Sequence, residues 1–583
     1  MKKLYLLLLS AIAIAPAIHA LEPSGSLPVL VINTENHQEI YSKEVYINAT
    51  YYLDPRGIDG VEAFGSADNP LPLQIKGRGN YTWTFNKKPY RLKLDKKAAL
   101  LGMESSKHFA LMAHADDSRA FMRNLTGFEV SRMSGLPWAP ADQPCEVILN
   151  GDYKGLYFLT ETIRFDKKRI NLSNPDDDVE AWLEANADKT YEDYPFTDED
   201  YTGAWLIEFD NNKDANQVVV PCLKSEGAEL WITYKTPEDY VTDAHRQWLY
   251  DEIAAIDAMV YAEEHAAGAW ADKIDLTDAA RFFVVNQIMN NYESYSGSCY
   301  LYKDKGAAEK WHFGPVWDFG SSFQVSRDVT KWIWDSQYPQ YWIRNMWDYP
   351  EFQNEVKRIF VEMDTEGFDR IFDYQNEYAA RITEAAYRDA ERWSADGYGN
   401  PDMATPLAEV QDQLRLAINS FGYNLGVEGY EAPPVSIYLR GDDINNWQAV
   451  NDYKFTPLED GSYRLNVALL SGQFKIADST WNEVDLGSTN SDKINLDTPY
   501  QLTVKGGNLT LADGSAENVT LLLDIDNGLL TVTNQSGVKL VVMQADDAKT
   551  EYYNLQGIQI TAPQPGEIYI IKTSGKTAKA IYR

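Results

Sequence analysis

A chain of 583 residues with 87 acidic and 53 basic side chains carries a formal net charge of −34. It is too long for one hydrophobic core, and its acidity excludes nucleic acid and anionic membrane surfaces as natural partners. A hydrophobic content of 44% and a charged content of 24% exclude disorder as the default state, and about 150 residues per domain implies two to four domains.

Lys2 and Lys3 precede an apolar run over residues 4–18, and Ala20 supplies a small residue before Leu21. This pattern predicts a secretory signal peptide over residues 1–20, too short for a permanent membrane span. An exported protein is expected, at the cell surface or outside the cell, with no membrane span and no nucleic-acid partner. Cys145, Cys222 and Cys299 are too few for a disulfide framework and are read as core residues. No Cys/His spacing has the form of a zinc site.

Residues 26–175 read as strands and turns. Leu27-Pro28-Val29-Leu30-Val31-Ile32 is a short apolar strand, and Tyr90-Arg91-Leu92-Lys93-Leu94 alternates as a half-buried strand does. Residues 145–150 and 156–160 flank Asn150-Gly151-Asp152, a hairpin signal. Residues 175–202 are dense in Asp and Glu and are expected to form a surface insertion, followed by a strand at 204–209. After Pro237 the spacing becomes helical. Leu249, Ile253, Ile256 and Val260 share one face, as do Phe282, Val285 and Met289 in a helix that Asp275 or Thr277 can cap. Long helical patterns continue over 350–421. A strand-rich stretch followed by a helix-rich one predicts a two-lobed α+β domain.

A linker at 426–434 includes Tyr430-Glu431-Ala432-Pro433-Pro434. Beyond it, short alternating runs at 435–439, 463–467, 473–477, 518–524 and 529–533 are separated by Gly, Asn and Asp, which predicts an all-β sandwich over 435–540. Short strands are expected again over 549–583.

The densest group of unusual residues lies between Asn290 and Phe323. Tyr300-Leu301-Tyr302-Lys303 and Lys310-Trp311-His312-Phe313 read as strands, and Gly314-Pro315-Val316 leads into Trp317-Asp318-Phe319-Gly320. A carboxylate after a strand and before a flexible Gly is how kinases present the Asp that binds metal on ATP phosphates. The tripeptide alone is weak, since composition produces it in roughly one chain in twenty of this length. Upstream, Lys76-Gly77-Arg78-Gly79-Asn80 and Lys87-Lys88-Pro89-Tyr90-Arg91-Leu92-Lys93 concentrate positive charge that could neutralise phosphate oxygens. There is no P-loop and no Gly-x-Gly-x-x-Gly.

Several ordered blocks strengthen this reading. They are Arg78-Gly79-Asn80 with Trp83; Lys88 to Leu94; Leu100-Leu101-Gly102-Met103; Asp116-Asp117-Ser118 with Arg123-Asn124; Leu149 to Glu161; Asp166 to Ile170; Tyr300 to Lys303; and Trp317-Asp318. With them, residues 26–425 resemble the CotH family of atypical secretory kinases. The resemblance implies a two-lobed, strongly altered protein-kinase fold that transfers phosphate from ATP, with Mg2+ or Mn2+, to serine residues of a protein substrate. It implies Asp318 as metal ligand, Glu293 at the position of the catalytic Asp, and Ser298 near a position where the family often has a metal-holding Asn. It further implies Trp311 as an aromatic for adenine, Lys88, Arg91 and Lys93 as phosphate contacts, and Glu161 as an acid orienting a phosphate-binding base. Two positions depart from the pattern. Glu for Asp moves a carboxylate on the order of 1 Å, enough to slow in-line transfer about a hundredfold, and Ser for Asn keeps an oxygen ligand on a shorter arm. An active phosphotransferase and an inactive kinase-like protein both remain open.

Ile437-Tyr438-Leu439-Arg440-Gly441, Asn446-Trp447, Gly472 to Asp478 and Trp481 resemble glycogen- and starch-binding β-sandwich modules. That implies Trp447 and Trp481 as sugar-stacking rings, with Lys475 as a hydrogen-bond donor to a glycan. Glu551 to Gly557, Gly566 to Ile571 and Lys576 resemble the sorting tails of type IX secretion.

Overall fold

The computed structural model describes residues 21–534 apart from 116, 118–119, 263–267, 325–327, 336–337, 400–401, 434, 459, 480 and 491, together with the backbone of four strands beyond 549. The expected signal peptide lies outside the described residues. The chain falls into two compact units, one reaching Pro433 without 325–328, the other comprising 325–328 and everything from 434 onward. The first unit is mixed α+β.

Its first seven strands close into a barrel. They are β1 (Val29–Thr34), β2 (Ile47–Asp54), β3 (Leu71–Gly77), β4 (Tyr90–Ala98), β5 (Ser106–Met112), β6 (Asp142–Leu149) and β7 (Asp152–Glu161), in the order β1-β2-β3-β4-β5-β7-β6. All neighbours are antiparallel except β1 and β6, whose parallel pairing closes the ring. Period-2 alternation decides what faces inward. On β4, Leu92 and Leu94 are buried while Arg91 and Lys93 are exposed, and the inward residues join Ile32, Leu53, Ile75 and Phe109 in one core. The β6–β7 hairpin turns at Asn150 (φ 54°) and Gly151 (φ 79°), the left-handed pair that Asn-Gly readily supplies.

Helix α1 (Arg123–Ser134) interrupts the barrel between β5 and β6. The acidic segment forms α2 (Pro175–Ala185), capped by Asn174, and buried Asp176 accepts backbone N–H bonds from Glu238, Asp239 and Tyr240. This segment is therefore tied down at one point rather than being surface throughout.

A second sheet follows, built from β8 (Trp205–Asp210), β9 (Gln217–Pro221), β10 (Glu229–Thr236), β11 (Cys299–Lys303) and β12 (His312–Phe313) in the order β12-β11-β8-β10-β9. The helices are α3 (Asp243–Val260), α4 (Leu276–Ile288), α5 (Ile343–Trp347), α6 (Pro350–Glu366), α7 (Asp369–Trp393) and α8 (Ala404–Asn424). Thr242 caps α3 and Asp275 caps α4. One face of the sheet, with Trp205, Ile207, Phe209 and Leu301, shares a core with Leu249, Ile253, Phe282, Val285 and Ile359 from the helices. Cys145, Cys222 and Cys299 are buried and unpaired.

Helix α7 packs along β7 and is pinned to the barrel by polar contacts. One of them titrates. The Tyr378 hydroxyl donates to Asp142 at 3.3 Å. Burial pushes the Asp142 carboxyl up from 3.8 to about 7, against the opposing pull of Tyr378, Arg132 and Thr160. The folded chain thus keeps a proton that the unfolded chain releases. This stabilisation is complete below about pH 4 and is lost as pH rises toward about 7. Asp142→Asn is expected to flatten that loss, which approaches about 1.4 kcal/mol per pH unit in the window. Unfolding curves across it check this; an unchanged slope would assign the dependence elsewhere.

In the second unit, strands Tyr438–Gly441, Phe474–Ala477, Asp485–Gly487 and Thr503–Val504 form one antiparallel sheet. Thr456–Pro457, Tyr463–Ser471, Ser515–Asp524, Leu529–Asn534 and Tyr500–Gln501 form another, and the two share a core that includes Leu439, Phe474, Leu521 and Val532. Near the C-terminus, Thr550–Tyr553, Gln559–Ile560, Ile568–Thr573 and Lys576–Ile581 make a four-stranded antiparallel sheet, with Asn554 to Gly557 outside the described residues. Among the described residues, no helix is long and apolar enough to cross a membrane.

Candidate functional site

The face of the second sheet opposite its helices carries the polar groups. Alternation along β8 sends Glu208 to that face, beside Tyr300 of β11 and Thr233 of β10. The Tyr300 hydroxyl donates to Glu208, and the Lys235 ammonium lies 3.0 Å from the same carboxylate and 4.0 Å from Asp214. Burial raises the Glu208 pKa, with Lys235 opposing it. Burial alone would lower the Lys235 ammonium, but Glu208, Asp214 and Asp210 together hold it raised.

The outer face of the barrel is basic. Cross-strand register pairs Lys76 with Arg91, Gln74 with Lys93, and Lys93 with His108. The His108 pKa is pushed down to about 3, first by burial and then by the charges of Arg164, Arg91, Lys93 and Lys107. A positive field this concentrated, in a chain of net charge −34, is a local arrangement rather than an average property. Just past β3, Arg78 stacks over Trp317 at 5.4 Å. Burial lowers the Arg78 pKa. Asp318, Tyr300 and Glu208 oppose that lowering, and Arg91 adds to it. Arg78 is thus the residue at which the basic strands of the barrel meet the second sheet and the Asp318 turn.

That turn is held from three sides. Asn124 of α1 accepts the Phe319 N–H at 2.7 Å, Asn291 donates its amide to the Asp318 carbonyl at 3.2 Å, and Arg123 donates to the Gly320 carbonyl. Ser321 donates to Asn291 at 2.9 Å, and Arg123 is itself fixed by Asp117 at 3.0 Å. Phe319 is fully buried against Gly127, where an added Cβ would fall 2.2 Å from its ring, so only glycine permits this approach. The outcome is an exposed Asp318 carboxylate at φ 57° that accepts the Gly320 N–H at 3.1 Å. Asn291 lies two residues before Glu293, so the clamp ties Asp318 to the segment that carries Glu293. Glu293 is half-buried, with its carbonyl accepting from Ser296 and Gly297 at 2.9 and 3.0 Å, and Ser298 is half-buried at φ 52°. Carboxylate and hydroxyl oxygens at Asp318, Glu293 and Ser298 are hard donors that suit Mg2+ or Mn2+.

The remaining residues expected at the site lie elsewhere in the first unit. Lys88 donates to the Trp83 carbonyl at 2.7 Å and rests over its ring. Glu161 is buried and pairs with Arg169 at 2.6 Å. Trp311 is 0% exposed within the helical core, so no ring face is open to a nucleotide in this conformation. Asp275, Asp278 and His312 bring ligand atoms within 4.8 Å of one another, but these atoms are already engaged. Asp275 caps α4, and Asp278 holds Arg281 at 3.1 Å and His312 at 2.8 Å. In the second unit, the rings of Trp447 and Trp481 lie 6.2 Å apart. Arg440 stacks on Trp481 at 3.9 Å, and Lys475 sits 5.5 Å from the same ring while paired with Asp485.

Sequence reasoning did not single out Glu208, and it held Arg78 only within the basic cluster at 76–80 and the block Arg78-Gly79-Asn80, not among the named phosphate contacts. Glu208 had a usable signal, an acid inside the otherwise apolar Trp205-Leu206-Ile207-Glu208-Phe209. Comparison with known proteins bears on the same region. The family model described as CotH kinase protein matches residues 75–415, more than half of the chain. No curated protein matches the chain.

Proposed function

The chain belongs to the CotH kinase protein family, and on that premise we propose that it is an exported, two-lobed kinase-like enzyme transferring the γ-phosphate of ATP to serine hydroxyls of a protein acceptor. The observation that carries this reading is the exposed Asp318 carboxylate, framed by Asn124, Asn291 and Arg123 and facing the cationic Arg78. The barrel acts as one lobe, and the second sheet with its helices acts as the other. Asp318 and Ser298 would hold Mg2+ or Mn2+, which would neutralise charge on the phosphate oxygens. Arg78, Arg91 and Lys93 line the phosphates from the barrel side, where charge-assisted hydrogen bonds are strongest. Glu293 accepts the proton of the serine hydroxyl as its oxygen attacks the γ-phosphorus, and ADP leaves. The test is transfer of labelled γ-phosphate from ATP to serine, on the chain itself or on an added protein, with and without a chelator. Metal-dependent labelling is expected. Absence of both labelling and ATP binding would sink the proposal.

The paired Trp447 and Trp481 favour a second activity, in the second unit. Two half-buried indoles 6.2 Å apart beside cationic side chains offer apolar faces and donors of the kind that sugar rings use. Retardation on gels containing starch-like polymer is expected for the full chain and is expected to be lost in Trp447→Ala/Trp481→Ala. Equal migration of the two proteins would remove this reading.

A further inference from the structure

The first unit contains a concavity whose lining includes none of the residues proposed for phosphotransfer. It is a cavity of about 480 Å3, within the range of small-molecule sites. Apolar and aromatic side chains form much of its wall, among them Trp138, Tyr302 and Phe313, and three consecutive cations, Lys167, Lys168 and Arg169, border it. A few convergent charges against an apolar, aromatic wall are what an orienting binding site requires.

The three cations are not equivalent. Arg169 is 5% exposed, and its Nη2 is taken by Glu161 at 2.6 Å and the Glu104 carbonyl at 3.1 Å. Its Nε and Nη1 have no hydrogen-bond partner, and Nη1 is 3.6 Å from Asp166. The Nε and Nη1 atoms are themselves buried, so Arg169 adds positive charge behind the wall of the cavity and leaves the accessible donors to its two neighbours. Lys167 and Lys168 are exposed and form no ion pair among the described residues. Unpaired neighbouring lysines in so acidic a chain leave a local positive field at the mouth.

The cavity is distinct from the Asp318 site. Tyr302 stands two residues beyond Tyr300 on the same face of β11, about 7 Å along the strand. Both rings rest on the cluster of Phe165, Ile170, Ala204 and Leu206. Tyr300 borders Arg78 and Glu208, whereas Tyr302 lines the cavity.

We propose that this cavity binds a small aromatic anion, the ring lying against Trp138 and Tyr302 and a phosphate or carboxylate meeting Lys167 and Lys168. The inference does not depend on phosphotransferase activity. Titration calorimetry on the full chain would use 1-naphthyl phosphate and 1-naphthoate as probes and neutral 1-naphthol as control. At least one anion is expected to bind about tenfold or more tightly than 1-naphthol. Lys167→Glu/Lys168→Glu, confined to exposed positions, is expected to weaken that binding about tenfold or more, and Trp138→Ala to weaken it as well. Saturating ATP with Mg2+ is expected to leave it unchanged. Failure of both anions to bind, equal affinity for 1-naphthol, indifference to the lysine reversal, or displacement by ATP would each overturn the proposal. Displacement would identify the cavity as part of the nucleotide site and leave the phosphotransferase reading standing.

Discussion

Asp318→Ala is expected to reduce metal-dependent phosphoryl transfer by about a thousandfold or more, with the first unit still folded. Apart from the Gly320 N–H that the Asp318 carboxylate accepts, the backbone of the turn is held by groups other than that side chain. Asn124 takes the Phe319 N–H, Asn291 binds the Asp318 carbonyl, and Phe319 is locked against Gly127. Removing the carboxylate therefore deletes the proposed metal ligand and a charge facing Arg78 without dismantling the frame. Alanine at φ 57° adds backbone strain of about 1 kcal/mol, a cost that Asn largely avoids. Asp318→Asn is thus the cleaner companion, matching the side-chain shape and lacking the charge. Both variants are expected to fall together in labelled-phosphate assays at saturating Mg2+, with circular dichroism unchanged. If Asp318→Asn transferred phosphate at the wild-type rate, Asp318 would not be the metal ligand.

What the sequence disclosed follows from which interactions are local. The alternation Tyr90-Arg91-Leu92-Lys93-Leu94 announced β4 and its basic outer face because side-chain direction in a strand has period 2. Asn150-Gly151 announced a hairpin, and Asp275 a cap, because both act within a few residues. The parallel closure of β1 on β6 spans more than 100 residues and leaves no local trace. The site divides in the same way. Asp318 stood out through its motif, whereas Arg78 was one cation of a basic cluster until folding brought it over Trp317 and beside Asp318 and Glu208. Trp311 illustrates the converse, since a Trp at a strand end reads alike whether it faces a cleft or, as here, the core.

The largest stability effect is expected at Lys87, whose burial nothing in Lys87-Lys88-Pro89 foretells. Lys87 is 0% exposed. Its ammonium lies 2.8 Å from Asp389 of α7, donates to the Leu156 carbonyl at 2.8 Å, and faces the rings of Tyr157 and Phe121. Asp389 also accepts the Leu156 N–H at 2.9 Å, so one ion pair ties the connection after β3, strand β7 and helix α7 together. Burial disfavours both charges, and each partner offsets that cost for the other. Lys87→Met would leave Asp389 buried with one backbone donor and an Oδ2 that already lacks a partner. Breaking such a pair from one side costs about 3–5 kcal/mol. Replacing both charges is a different operation, because no uncompensated ion remains. In Lys87→Met/Asp389→Asn the amide oxygen can still take the Leu156 N–H, so the double variant is expected to regain at least half of the loss. Calorimetry of the full chain would follow the transition of the first unit in wild type, both single variants and the double variant. Additive losses, with no recovery in the double variant, would show that Lys87 and Asp389 contribute through packing alone and that the charge pair does not join the barrel to α7.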